Sequence, residues 1–386
     1  MWVSVLSGLV IHSSILVGPA LAAADVPDAG EPGHFKTLDP QLLTRTEALK
    51  RINPEVLKGS ASMQKVVDQV LDSTAGHPVF VELVVRLERI DRADGLLDFA
   101  ESHPDNYAAA DAIRFLLRHD QSRKIEERLK ALASGSQFEG LIQLLAGSGT
   151  EEAFEILKSQ LETHASGSKT GHTVIRCLCA TRAGANTILS LHQNDLLPDD
   201  LHGFAGQMLS LIPWAGIRER ANRQFPESQS HGAAGLTMGD LRAFKSDSER
   251  GRAVFNDPVV GCSRCHVVQG TGVRFGPELT LIGDKLSPEA LLESIQSPSA
   301  GIAFGFEAWE LELDTTEVLY GILASETDEF VILRDSLGVD QKVEKSSIIS
   351  RTKTPASAMP QGLARLMSPT QMADLIQYLQ GLKATP

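Results

Sequence analysis

Between about residues 38 and 226 apolar side chains return every three to four positions. They come in runs of roughly three turns, separated by short Gly, Asp, Asn or Pro breaks, the pattern of helices that each bury one stripe. The spacing predicts helices over 79–87, 108–117, 138–145, 172–179 and 203–212. Partner helices are predicted over 95–102, 123–132, 151–161 and 185–192. One apolar position recurs through the first set, as Leu87, Leu117, Leu145, Leu178 and Leu211. Paired helices at a drifting period near thirty are what a stacked helical-repeat array produces, each pair burying its face on its neighbours.

Beyond residue 226 the pattern changes. Residues 227–239 are mostly small or polar and Gly-rich, and read as a linker. A polar helix follows over 240–255, and Ser368-Pro369-Thr370 starts a last helix running to Leu382, with Met372, Leu375, Ile376, Tyr378 and Leu379 as its apolar positions. Between these helices the period drops to two. Short strands are predicted over 306–313, 318–323, 330–334 and 341–349, around turns at Asp314, Thr327 and Gly338. The expected fold class is mainly α: a HEAT-like helical array over 38–226, a linker over 227–239, and a second domain over 240–386. That second domain carries a β-rich insert at about 306–349 and is expected to fold as a unit.

The strongest chemical signal lies just after the polar helix, in Cys262-Ser263-Arg264-Cys265-His266. Two thiols three positions apart can add to the two vinyl groups of a porphyrin, and the adjacent imidazole then reaches the iron as an axial ligand. A zinc site would want a second ligand pair, and the other two cysteines, Cys177 and Cys179, are distant and unsuitably spaced. Those two fall on a predicted helix at i,i+2 and are expected to pack as small hydrophobes. Residues 1–22 contain no charged side chain and end in Ala20-Leu21-Ala22, the shape of an export signal. Covalent haem attachment takes place outside the cytoplasm, so the two signals agree on a periplasmic or otherwise exported protein with no transmembrane anchor after cleavage. The formal net charge of -13 argues against nucleic-acid binding, which wants a basic face.

From about residue 248 to 383 the chain resembles the haem-binding domain found in many exported planctomycete and verrucomicrobial proteins. The resemblance rests on Gly251-Arg-Ala-Val-Phe255, the Cys-x-x-Cys-His motif, Gly276-Pro277-Glu278-Leu279-Thr280, Ile282-Gly283, Leu291-Leu-Glu-Ser-Ile295 and Ser297-Pro-Ser299. It continues through the β insert, Met359-Pro-Gln-Gly-Leu363 and Asp374-Leu-Ile-Gln-Tyr-Leu379. It implies a class I cytochrome c-like fold holding one covalent haem c through Cys262 and Cys265, with His266 and Met359 as iron ligands. It also implies that the Pro277 carbonyl accepts the other ring N–H of His266. Independently of the resemblance, Met359 lies in a Pro- and Ser-rich loop before the last helix, where a thioether can be aimed at a metal; Met367 and Met372 are its rivals. Tyr378 is open to two roles, a propionate contact or core packing.

These features together predict one-electron transfer and no catalytic residue. A redox partner protein is expected, such as a dehydrogenase or another cytochrome, with the repeats as its scaffold. Two other classes stay open: a haem enzyme or gas- or peroxide-binding protein with a free sixth site, and a repeat-based interaction protein with an accessory haem. Between Glu344 and Asp374 no acid occurs, while Lys345, Arg351, Lys353 and Arg365 are basic and Arg264 and Arg274 flank the motif. A positive rim steering an acidic partner is the expectation from that stretch.

Overall fold

A computed structural model of the chain describes residues 35, 37–58, 60–163, 169–226, 232–315 and 317–384. Residues 1–22, read from the sequence as an export signal, and 227–231 of the expected linker lie outside them. The described residues are mainly helical, with one small antiparallel sheet near the C-terminus. No helix among them is long and apolar enough to cross a membrane.

Three helices, α1 (Pro40–Arg51), α2 (Pro54–Lys58) and α3 (Ala61–Thr74), open the chain. Five helix pairs follow: α4 (Pro78–Arg86) with α5 (Ala93–Ser102), α6 (Tyr107–Arg118) with α7 (Ser122–Leu132), α8 (Ser136–Ser148) with α9 (Glu151–Thr163), α10 (Lys169–Leu178) with α11 (Arg182–Gln193), and α12 (His202–Ser210) with α13 (Ala215–Gln224). Local chemistry sets several starts. The Asn106 side chain accepts the Ala108 N–H at the head of α6, and Thr181 accepts that of Gly184 at the head of α11. The first helices form a layer in which α4 packs on α6, α6 on α8, α8 on α10 and α10 on α12. Their recurring leucines, Leu87 to Leu211, are all buried in one continuous core.

The C-terminal part contains α14 (Met238–Leu241), α15 (Ser248–Phe255), α16 (Ile282–Lys285), α17 (Pro288–Gln296) and α18 (Pro369–Gly381). Here α15 and α18 cross. At the crossing Gly251 lies so close to the Asp374 carbonyl and the Tyr378 side chain that no Cβ would fit. Arg250 makes a two-pronged ion pair with the buried Asp374 carboxylate at 2.7 and 2.8 Å, and the Asp247 N–H adds a third bond to it.

The sheet comprises β1 (Ala308–Leu313), β2 (Val318–Glu326), β3 (Phe330–Arg334), β4 (Asp340–Glu344) and β5 (Ile348–Lys353), in the order β4-β3-β2-β1-β5. Five strands replace the four expected. The predicted strand over 341–349 is cut by a tight turn at Lys345–Ser347, tied by the Ser347 hydroxyl donating to the Glu344 carbonyl. That turn carries the chain from one edge of the sheet to the other, where β5 pairs with β1. Glu326 reaches both Lys345, just past β4, and Arg351 on β5, so the two edges come within range of one side chain.

The sheet does not stand clear of the helical array. Val339 belongs to the array's core, with Tyr320, Leu337 and Met359 packed against it. Edge strand β4 lies on α6, which protects its unpaired backbone. Arg114 on α6 donates to Gln341 Oε1 at 2.7 Å, and Gln341 Nε2 donates in turn to Asp335 at 3.2 Å. Asp335 also accepts the Leu337 and Val339 N–H groups. The array and the residues after the linker therefore share a core and a polar seam, which a fragment beginning at residue 240 would expose.

Burial at this seam pushes the Asp335 carboxyl up to about 6 from an ordinary 3.8. A carboxyl that titrates higher in the folded than in the unfolded chain holds its proton preferentially when folded. The stability this provides at low pH is lost as pH rises through about 6. We predict that between pH 4 and pH 8 the wild type loses up to about 3 kcal/mol relative to Asp335→Asn. Paired urea titrations of the two proteins at each pH measure that difference directly. A difference that stays constant with pH would mean the Asp335 carboxylate is as well solvated as in the unfolded chain.

Candidate functional site

The Cys-x-x-Cys-His motif sits on a built turn. Asp257 Oδ1 accepts the Val259 and Val260 N–H groups, turning the chain out of α15. Gly261 adopts the left-handed region (φ 56°), and a tight helical turn follows over Cys262–Arg264. The Cys262 carbonyl accepts both the Cys265 and the His266 N–H, at 3.1 and 2.9 Å. Arg264 folds back and donates to the Pro258 and Val259 carbonyls at 2.6 and 3.1 Å.

The segment after the motif doubles back along it. Val273 N–H bonds the Ser263 carbonyl, Phe275 N–H the Cys265 carbonyl and Leu279 N–H the Val267 carbonyl. This zipper sets Pro277 opposite the imidazole. His266 Nδ1–H donates to the Pro277 carbonyl at 2.7 Å, which leaves the lone pair on Nε2, the tautomer a metal ligand needs. Gly276 backs the ring so closely that an added Cβ would stand 2.6 Å from Cε1 and 2.9 Å from Nδ1. Burial holds the His266 imidazole below its ordinary pKa, with the bond to Pro277 opposing that in part.

Both motif thiols are free. Burial pushes Cys262 up to about 12 and Cys265 up to about 11, so both are neutral thiols that pack among apolar neighbours. Cys262 borders the core made by α15, α17 and α18. Cys265 borders a second small cluster of Phe275, Ala308 and Ile322.

The loop that carries Met359 arrives at the same place. Met359 is half-buried and packs against the core that Cys262 borders, while its neighbour Ala358 packs in the cluster that Cys265 borders. Met367 and Met372 are 1% and 0% exposed within the first of those cores; both are packing residues of the last helix and its approach. Sequence reasoning gave no role to Ser299, which holds this loop. Its hydroxyl accepts the Ser357 N–H at 3.0 Å and a Gln361 Nε2 hydrogen at 3.3 Å. Its place in the Ser297-Pro298-Ser299 stretch of the resemblance was the available signal. Tyr378 packs its ring against Phe255, with centroids 5.6 Å apart, where α15 and α18 cross.

The two remaining cysteines, Cys177 and Cys179, are buried at the end of α10, burial raising both thiols. Among the described residues no three His, Cys, Asp or Glu side chains gather to hold a metal ion. The expected positive rim is largely matched by acids from elsewhere in the sheet. Lys345 and Arg351 both bond Glu326, at 2.7 and 3.0 Å, and Lys353 bonds Glu307 at 2.8 Å. Arg264 turns inward to its own loop. An acid-free stretch of sequence is thus not an acid-free surface, because strand pairing imports carboxylates from earlier in the chain.

The donor set fits a covalently held haem: two adjacent free thiols, one imidazole with its far nitrogen already engaged, and a thioether loop brought alongside. No model of a known protein family matches the chain, and no curated protein matches it either.

The backing of His266 by Gly276 is open to test. Gly276→Ala should push the ring off the Pro277 carbonyl and cost roughly 1–3 kcal/mol. In nitrogen-edited NMR spectra the hydrogen-bonded Nδ1–H resonance should be lost, with a lower urea midpoint; an unchanged resonance would mean the ring has room that the geometry denies it.

Proposed function

We propose that the chain is an exported mono-haem c-type cytochrome that passes single electrons. In this reading a class I cytochrome c-like domain, interrupted by the five-stranded sheet, is carried on a HEAT-like array, as the resemblance to the planctomycete and verrucomicrobial haem-binding domain implies. The observation that carries the proposal is the Cys262–His266 turn with His266 Nδ1 held at 2.7 Å by the Pro277 carbonyl. Such a bond orients an axial imidazole and strengthens its donation to a metal. The crossing of α15 and α18 around the motif and the convergence of the Met359 loop add to it.

When bound, a haem c supplies a one-electron couple, Fe(III)/Fe(II). The chain's own residues do the rest. Cys262 and Cys265 would hold the ring, each through a free thiol able to add S–H across a vinyl group with no leaving group. His266 presents Nε2, and Pro277 fixes its direction. Met359 presents a thioether, with Ser299 holding its loop. His266 and Met359 would together hold the iron as a Met/His pair, the ligation that suits a one-electron carrier. The donor and acceptor are proposed to be protein partners, a dehydrogenase or another cytochrome among them.

Two measurements test this. The matured protein should keep its haem through acid–organic extraction and migrate with it on a denaturing gel. Its mass should exceed that of the processed polypeptide by one haem; free haem in the organic phase would overturn the attachment. Met359→Ala should abolish the weak sulfur-to-iron band of the oxidised protein and lower its reduction potential, while Met367→Ala should destabilise the fold by about 2–5 kcal/mol and keep the band. A band that persists in Met359→Ala would assign the sixth position to another group.

A further inference from the structure

A cavity of about 500 Å³ lies between the helical array and the motif region. Leu211, Ile212 and Tyr320 form part of its apolar wall, and Arg176, Arg218 and Arg264 line it from three different parts of the chain. Among the described residues none of these arginines has a carboxylate partner within ion-pair distance. Arg218 donates to the Ile212 carbonyl, Arg264 to the Pro258 and Val259 carbonyls, and Arg176 makes only a 3.3 Å bond to the Thr173 hydroxyl. Two acids also line the cavity. Asp257 uses one carboxylate oxygen on the backbone of its own turn, and Glu139 is exposed. Burial, and next the charge of Arg176, hold the Arg264 guanidinium below its usual pKa. Three guanidinium groups against two acids, one exposed and one engaged by its own turn, leave the lining net positive, and an entering anion offsets that excess through charge-assisted hydrogen bonds.

We infer that this cavity binds a small organic anion, a carboxylate on an apolar body, with Arg176 and Arg264 as its charge partners. The volume falls in the range of small-molecule sites, and apolar walls with a few placed polar groups are their usual composition. Cys265 lines the same cavity, so the anion lies against the thioether position. That placement rests on the haem reading; the binding does not.

A carboxylate at these arginines has two sources, a free ligand or the haem's own propionates, and the inference is of a free ligand in the haem-loaded protein. Phthalate, with inorganic phosphate as a probe lacking an apolar body, is titrated calorimetrically into the full matured chain, whose haem content is fixed separately by mass. Phthalate should bind saturably, at one site and more tightly than phosphate. Arg176→Gln should weaken it about 10- to 100-fold, while Arg220→Gln, at an exposed position of α13 outside the lining, leaves it unchanged. Arg264→Gln is expected to act likewise but also loosens the motif turn, so Arg176→Gln decides. No saturation below roughly 10 mM, or equal binding in Arg176→Gln, would overturn the inference. So would phthalate binding only in the haem-free Cys262→Ser/Cys265→Ser chain, because the arginines would then serve the propionates. A chain that binds phthalate but carries no covalent haem would sink the cytochrome reading and keep the site.

Discussion

The close crossing of α15 and α18 is the constraint on which the C-terminal part depends. Gly251 allows the two backbones to touch, and the Arg250–Asp374 pair fixes their angle. A buried carboxylate is costly unless its lone pairs are filled, and here two guanidinium hydrogens and a backbone N–H fill them. The crossing closes a loop of more than a hundred residues. It thereby brings the end of α15, which delivers the Cys-x-x-Cys-His turn, to the segment that delivers Met359. Everything between those two points must leave this junction and return to it.

The sheet solves that return without strain. Its ends meet where the Thr354 N–H bonds the Ala308 carbonyl at 2.8 Å, so the strands form an excursion that starts and finishes at one place. The same excursion makes contact in two directions. Ala308 and Ile322 pack beside Cys265, and β4 with Asp335 and Gln341 is bonded to α6. The sheet is therefore the bridge through which the helical array supports the motif. A buried polar bridge of this kind is specific in position, because every member needs its partner.

Much of this was legible in the chain because the relevant physics is local. The helix pairs follow from apolar periodicity, and the recurring leucines fall in the core as their spacing implies. The strands over 308–313 and 330–334 follow from alternation and flanking turns. The break at Lys345–Ser347 was not legible, since 341–349 alternates well enough for one strand; only the pairing of β5 with β1 demands a crossover. The thiols, imidazole and Met359 loop were marked by motif. Gly276 and Ser299 also fall in motif stretches, but what they touch was not legible, because it depends on segments distant in sequence and on side-chain geometry.

The same distinction bears on where positive charge lies around the motif. Read along the chain, the residues after β4 suggest an open basic rim; in three dimensions Glu326 and Glu307 take up three of its charges. The unmatched arginines lie instead inside, between α10, α13 and the motif turn, in the cavity that Cys265 lines. Long-range steering falls off within a Debye length in solvent, whereas charges in a partly dry cavity are much less screened. The side of the motif nearest Cys265 is thus governed by the helical array more than by the surface of its own domain. The array roofs this edge and leaves a small-molecule-sized space beneath it, so a change in α10 or α13 alters the surroundings of Cys265 as well as the packing of the helices.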